Sequence, residues 1–194
     1  MNKYIFASFN KHKLIEISNQ ISNIDIQSLY DLGYTDEIIE FGSNLQENAL
    51  IKARVIYDRY SIPCISDDTG LEVHALDNAP GVYSARYAGK NATAEDNVEK
   101  LLIQMKNIKD RRARFRTVIC LKNSQEEKFF EGVVEGVISD IAVGKSGFGY
   151  DPVFRPNGYS KTFSEMSLEE KNNISHRSRA VAKLVNYLSS QVLN

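Results

Sequence analysis

The sequence predicts an α/β fold with an antiparallel portion in its middle. Three observations carry that prediction. An apolar strand-like run opens the chain, segments of helical period follow the first short strands, and two long β-rich runs stand together between residues 113 and 138. With 194 residues the chain suits a single domain, 1–194, with room for two lobes and a real core.

Taken in order, residues 3–8 read as a buried strand and residues 10–21 as a helix turning Leu14, Ile17 and Ile21 inward. Ile24 and Ile26 alternate with polar neighbours, as a second strand would, before a turn at residues 31–36. From Asn44, the residues Leu45, Ala49, Ala53, Ile56 and Tyr60 recur at helical spacing until Pro63 ends the pattern. Cys64-Ile65-Ser66 reads as a short inner strand, continued by Leu71-Glu72-Val73 beyond a sharp corner. Pro80-Gly81-Val82 is a turn, and Thr93 caps a helix bearing Val98, Leu101, Leu102 and Met105. Strands at residues 113–122 and 128–138 join through Asn123-Ser124-Gln125, and residues 144–149 form a glycine-rich loop. Ser167-Leu168-Glu169-Glu170 has capping-box spacing, and a last helix carries Val181, Leu184, Leu188 and Val192 on one face.

A net charge of −1 provides no broad basic field for nucleic acid or anionic membrane, so any phosphate chemistry must rest on a local cluster of cations. No segment has the apolar length of a signal peptide or a membrane span, and a cytoplasmic protein is expected, with Cys64 and Cys120 as buried free thiols. Two glycine motifs mislead. Gly144-Lys145-Ser146 has Ser139 where a P-loop needs its first glycine, and Gly147-Phe148-Gly149 has Pro152 where a dinucleotide fingerprint needs its third. Residues 109–116 are the most basic stretch and are expected to blunt an open sheet edge rather than to bind nucleic acid.

Other residues suggest chemistry. Asp67 and Asp68 are adjacent carboxylates at an expected strand end, where one of them could hold magnesium; an Asx-capped turn accounts for them equally well. Neighbouring strand residues face opposite ways, so only one of the two can enter a given site. Ser8, Asn10, Lys11 and Lys13 lie where a strand becomes a helix, a natural phosphate site, although an ordinary Asn cap with solvated lysines explains them too. Asn48 and Lys52 stand one turn apart on a helix. Phe148 and Tyr150 offer rings that could stack on a base beside Asp151, and His176 and Arg177 open the last helix with hydrogen-bond donors.

As an ordered set these blocks resemble the inosine triphosphate pyrophosphatase family, the dITP/XTP pyrophosphatases. The blocks are Ala7-Ser8-x-Asn10-x-x-Lys13, Glu47-Asn48-Ala49-x-x-Lys52-Ala53, Ser66-Asp67-Asp68-Thr69-Gly70-Leu71, residues 80–89 from Pro80 to Gly89, Gly147-Phe148-Gly149-Tyr150-Asp151-Pro152 and Lys171-x-x-x-Ser175-His176-Arg177. Phe9 and His12 stand where many bacterial members carry glycine. The resemblance implies an elongated mixed β-sheet flanked by helices, two lobes with a central active-site cleft, and a homodimer. It implies a Mg2+-dependent hydrolase that splits ITP, dITP or XTP into a nucleoside monophosphate and pyrophosphate.

By the same resemblance, Ser8, Phe9, Asn10, Lys11, His12, Lys13 and Lys52 contact the triphosphate. Glu40 and Asp68 hold magnesium, Asp68 doubles as the general base, and Asp67 supports the metal site. Thr69 contacts substrate, Phe148, Gly149, Tyr150 and Asp151 form the base pocket, and Lys171, His176 and Arg177 are further substrate contacts. No nucleic-acid or membrane partner is expected. Two rivals are a related house-cleaning pyrophosphatase of the Maf type and a nucleotide-binding regulatory module without turnover.

Overall fold

The computed structural model describes residues 3–21 and 24–192, the last of these by its backbone alone. Met1 and Asn2, and the inward-facing side chain expected of Val192, therefore lie outside the described residues. The chain forms β1 (Lys3–Phe6), α1 (Lys11–Ser18), β2 (Asp25–Ser28), α2 (Leu45–Tyr60), β3 (Cys64–Val73), α3 (Ala94–Gln104), β4 (Arg112–Lys122), β5 (Glu127–Ile138), β6 (Phe154–Pro156), α4 (Leu168–Ile174) and α5 (His176–Val192).

Local chemistry sets the helix starts. Asn10, Asn44, Thr93 and Ser167 each accept a backbone N–H of the first turn, and Thr93 and Ser167 form reciprocal capping boxes with Asp96 and Glu170. Helix α1 ends at Ser18, three residues before the expected Ile21, in a stretch of Ser and Asn that favours turns over helix.

The six strands pair in the order β2-β1-β3-β4-β5-β6. β1 runs parallel to both β2 and β3, while β5 and β6 are antiparallel, so the sheet is mixed as expected. Two expectations are corrected here. β3 is one continuous ten-residue strand with no corner, and Asp67 and Asp68 sit in its middle rather than at its end. Its polar residues tolerate this because they are paired: the Ser66 hydroxyl donates to the Ala49 carbonyl, and Asp67 meets Lys13 and Arg177. β4 lies between β3 and β5, so its arginines do not blunt an open edge. Arg114 and Arg116 converge instead on the buried Glu72 at 2.6 and 2.9 Å.

The chain divides into two compact units. The first comprises residues 1–68, 117–132 and 177–194. It has two apolar clusters, one around Phe6, Ile17, Ile65, Ile119 and Leu184, the other around Ile5, Leu29, Ala53, Ile56, Cys64 and Cys120. Phe6 and Ile5, like Ile65 and Cys64, are strand neighbours in different clusters, as the two-residue period of a strand requires. Both cysteines are free and buried, and burial pushes the Cys120 thiol up to about 12 and that of Cys64 upward as well. The second unit comprises residues 69–116 and 133–176, with a core that includes Leu71, Val73, Leu101, Met105, Phe115, Phe154 and Phe163. Among the described residues, no helix is long and apolar enough to cross a membrane.

Candidate functional site

The chemistry-bearing side chains of the first unit gather around β3. Asp67 is fully buried; Lys13 Nζ lies 3.0 Å from its Oδ1 and Arg177 Nε 3.2 Å from its Oδ2. Arg177, also fully buried, pairs through Nη1 with Glu16 on α1. Burial alone would raise the Asp67 carboxyl, but Lys13, Arg177 and Lys52 together hold it down at about 2. Lys13 is lowered from the ordinary lysine value as well: burial lowers it, with Lys52 and Arg177 adding to the effect against the attraction of Asp67. Asp68, one residue on, pairs with a different cation. Lys52 Nζ stands 3.5 Å from Asp68 Oδ1 and 2.9 Å from Glu40 Oε2. Burial opposes the Lys52 charge, yet Asp68, Glu40 and Asp67 outweigh it and raise the ammonium.

Lys13, Lys52 and Arg177 thus meet Glu16, Asp67, Asp68 and Glu40 in this unit. Among the described residues, no group of three or more His, Cys, Asp or Glu side chains could hold a metal. Magnesium needs no such cage, because it is usually bound through one or two carboxylates and keeps waters and phosphate oxygens for the rest.

At the start of α1 the expected Asn cap is present, and only one of the two lysines is solvated. Asn10 is an ordinary cap, accepting the N–H groups of His12 and Lys13 at 3.0 and 3.2 Å, and Ser8 Oγ accepts from the Asn10 N–H. Lys11 and His12 are exposed, whereas Lys13 turns in to Asp67. Phe9 packs edge-on against Tyr30 and stacks near Tyr34, while the Tyr30 hydroxyl donates to the Phe9 carbonyl. An aromatic cluster therefore holds the loop at Phe9.

In the second unit Asp151 is buried and organises the glycine-rich loop. Its Oδ2 accepts the Phe148 N–H at 2.9 Å and the Lys171 ammonium at 2.7 Å. Gly147 has a positive φ, and a Cβ there would lie 2.2 Å from Asp151 Oδ2, so only glycine allows the loop this close. Lys171 Nζ also lies 4.8 Å from the Phe148 ring centre. Gly149 makes a second left-handed turn. Tyr150 is not a ring held out on the loop: it lies in the core, with its hydroxyl donating to the Ser84 carbonyl. His176 is buried, its ring stacked on Phe115 at 4.6 Å. Thr69 is half-buried on β3.

Sequence reasoning missed Glu16. It is buried on α1 beside Ile17, one turn beyond Lys13, and the only signal was that i, i+3 spacing from a lysine. Arg177 is a further substrate contact by the resemblance; the structure shows its Nε and Nη1 directed at Asp67 and Glu16.

These features define a class: an α/β protein with a mixed sheet whose central strand buries two carboxylates against lysine ammoniums. Comparison with known proteins specifies it further. The model of the Ham1 family matches residues 4–187, and the chain belongs to that family. A protein of Porphyromonas gingivalis described as a dITP/XTP pyrophosphatase is 50% identical over 190 residues, covering 97% of this chain and 98% of its own. One from Christiangramia forsetii, with the same description, is 48% identical over 188 residues, covering 96% of this chain and 99% of its own. Among solved structures, the Staphylococcus aureus Ham1 protein superposes with a TM-score of 0.90 at 38% identity, covering 98% of this chain and 100% of that one. A nucleoside-triphosphatase/dITP/XTP pyrophosphatase from Mycobacterium abscessus gives 0.76 at 40% identity, covering 94% and 98%.

Proposed function

We propose that this chain hydrolyses the deaminated purine nucleotides ITP, dITP and XTP to a nucleoside monophosphate and pyrophosphate with the help of Mg2+. The observation that carries the reading is the single Lys52 ammonium reaching both Glu40 and Asp68. One positive charge already spans these two carboxylates, and their hard oxygen donors suit magnesium, so the residues present fit the ion. Glu40 and Asp68 would hold it, and its chemistry would be to neutralise charge on the departing pyrophosphate. Lys13 and Lys52 supply fixed positive charge for the phosphate oxygens, with Ser8, Phe9, Asn10, Lys11 and His12 as the remaining phosphate contacts.

The base for the attacking water is Asp68. Asp67, held at about 2 by its cations, has too little proton affinity for that task. Arg177 enters through Asp67, which it holds, rather than as a reader of the purine. Thr69, Gly149, Tyr150, Asp151, Lys171 and His176 are the remaining substrate contacts of this reading. Since the Tyr150 ring is committed to the core, stacking on the purine falls to Phe148. Donors such as the Lys171 ammonium suit the position-6 carbonyl of inosine or xanthine and leave adenine's amine unmet. The same reading makes the protein a cytoplasmic homodimer, which sedimentation and fractionation test.

The deciding experiment measures pyrophosphate release from ITP, XTP, GTP and ATP with and without Mg2+. Magnesium-dependent turnover that favours ITP and XTP over ATP is expected. Nucleotide binding without turnover would replace this reading with a regulatory module, and preference for other nucleotides would point to the Maf-type rival.

A further inference from the structure

Glu40 lies in a stretch, residues 34–42, that is neither helix nor strand. Its neighbours Ile39 and Phe41 are 70% and 79% exposed, and Ile38, packed against the cluster of Ile5, Ala53 and Ile56, anchors the backbone before it. Helix α2 holds the backbone after it. Asn48 is fully buried, and its Oδ1 accepts the Gly42 N–H at 2.8 Å. One turn further on the same face, Lys52 takes hold of the Glu40 carboxylate. Because the Gly42 N–H is a donor, it fixes which way round the Asn48 amide lies, with Nδ2 directed elsewhere. Among the described residues that buried Nδ2 has no acceptor. A buried donor left unmet costs stability, so packing alone is a poor reason for an amide at this position. Gly42 is equally constrained. A Cβ there would stand 2.6 Å from Asn48 Oδ1, 2.7 Å from Glu47 Cβ and 2.9 Å from Asn48 N, so only glycine lets the segment lie this close to α2.

The geometry points to Asn48 as a positioning residue for the metal site: through Gly42 it sets the backbone that places the Glu40 carboxylate where a divalent cation can be shared with Asp68. This rests on the reading of Glu40 and Asp68 as magnesium ligands. Outer partners of metal-binding carboxylates act in this way, orienting a ligand without touching the ion.

The test compares Asn48→Ala and Gly42→Ala with the wild-type protein. Mn2+ binding is followed by electron paramagnetic resonance in the presence of a non-hydrolysable ITP analogue, alongside the Mg2+ dependence of turnover and urea unfolding. Both variants should bind metal about 10–100-fold more weakly, with turnover recovering at saturating metal. Ser43→Ala, which removes a hydroxyl that donates to Glu47 and accepts from the Asn44 amide, should bind metal as the wild type does. Wild-type metal affinity in both Asn48→Ala and Gly42→Ala, with at most a lower urea midpoint, would show a structural role only and overturn the inference. Failure of the wild-type protein itself to bind Mn2+ would overturn the Glu40–Asp68 reading, and this inference with it.

Discussion

Replacing Asp67 by Asn removes the carboxylate that faces Lys13 and Arg177, and the structure sets both the sign and the size of the effect. The carboxyl is held at about 2 against an ordinary value of 3.8. At about 1.4 kcal/mol per pH unit that difference is worth about 2 kcal/mol. Because the folded-state value is the lower one, this stability is fully present above the unfolded value near 3.8. It is lost as pH falls toward the folded value near 2. Asp67→Asn also leaves Lys13 and Arg177 buried and short of a partner, for which about 3–5 kcal/mol is typical. The variant should therefore be less stable throughout, with the gap to wild type narrowing by about 2 kcal/mol between pH 5 and pH 2. The chain has no tryptophan, so far-UV circular dichroism is the convenient probe for urea unfolding across this range. Parallel stability curves for the two proteins would refute the reasoning, since they would mean that Asp67 titrates alike folded and unfolded.

Asp68→Asn should retain nucleotide binding while turnover falls about 10²–10⁴-fold, the usual contribution of a positioned base. Pyrophosphate release within a fewfold of wild type at saturating magnesium would remove Asp68 from that role. Lys13→Ala should weaken triphosphate binding by about 1.5–3 kcal/mol, and calorimetry that finds an equal loss for inosine monophosphate would mean Lys13 does not read the outer phosphates. Arg177→Ala leaves Glu16 and Asp67 buried and short of a cation, and a loss of about 3–5 kcal/mol in urea unfolding is expected. A change confined to purine preference, with stability intact, would make Arg177 a reader of the purine.

What the sequence disclosed follows from how local each signal is. The caps at Asn10, Thr93 and Ser167 were legible because a cap is a contact across three residues. The run Ser66-Asp67-Asp68-Thr69-Gly70 reads as a turn by its residue types, yet it is mid-strand. The partners that permit this, Lys13 and Arg177, lie 54 and 110 residues away from Asp67, beyond any local reading. Burial of Glu16 is hidden for the same reason, since its partner Arg177 is 161 residues distant. Tyr150 differs in the opposite sense. Beside glycine it suggests a ring free to stack on a base, whereas its bond to the Ser84 carbonyl and its packing hold it in the core. Glu40 has no motif around it and entered only through family resemblance.

The division of the chain also has a consequence for synthesis on the ribosome. The second unit has its last residue at His176, whereas the first still needs residues 177–194. A nascent chain halted at that point would already contain Glu16 and Asp67 but lack Arg177, the guanidinium that both carboxylates face in the finished protein. The half of the molecule begun first is thus the half completed last. Loss of the terminal helix would be felt at an acid laid down more than a hundred residues earlier.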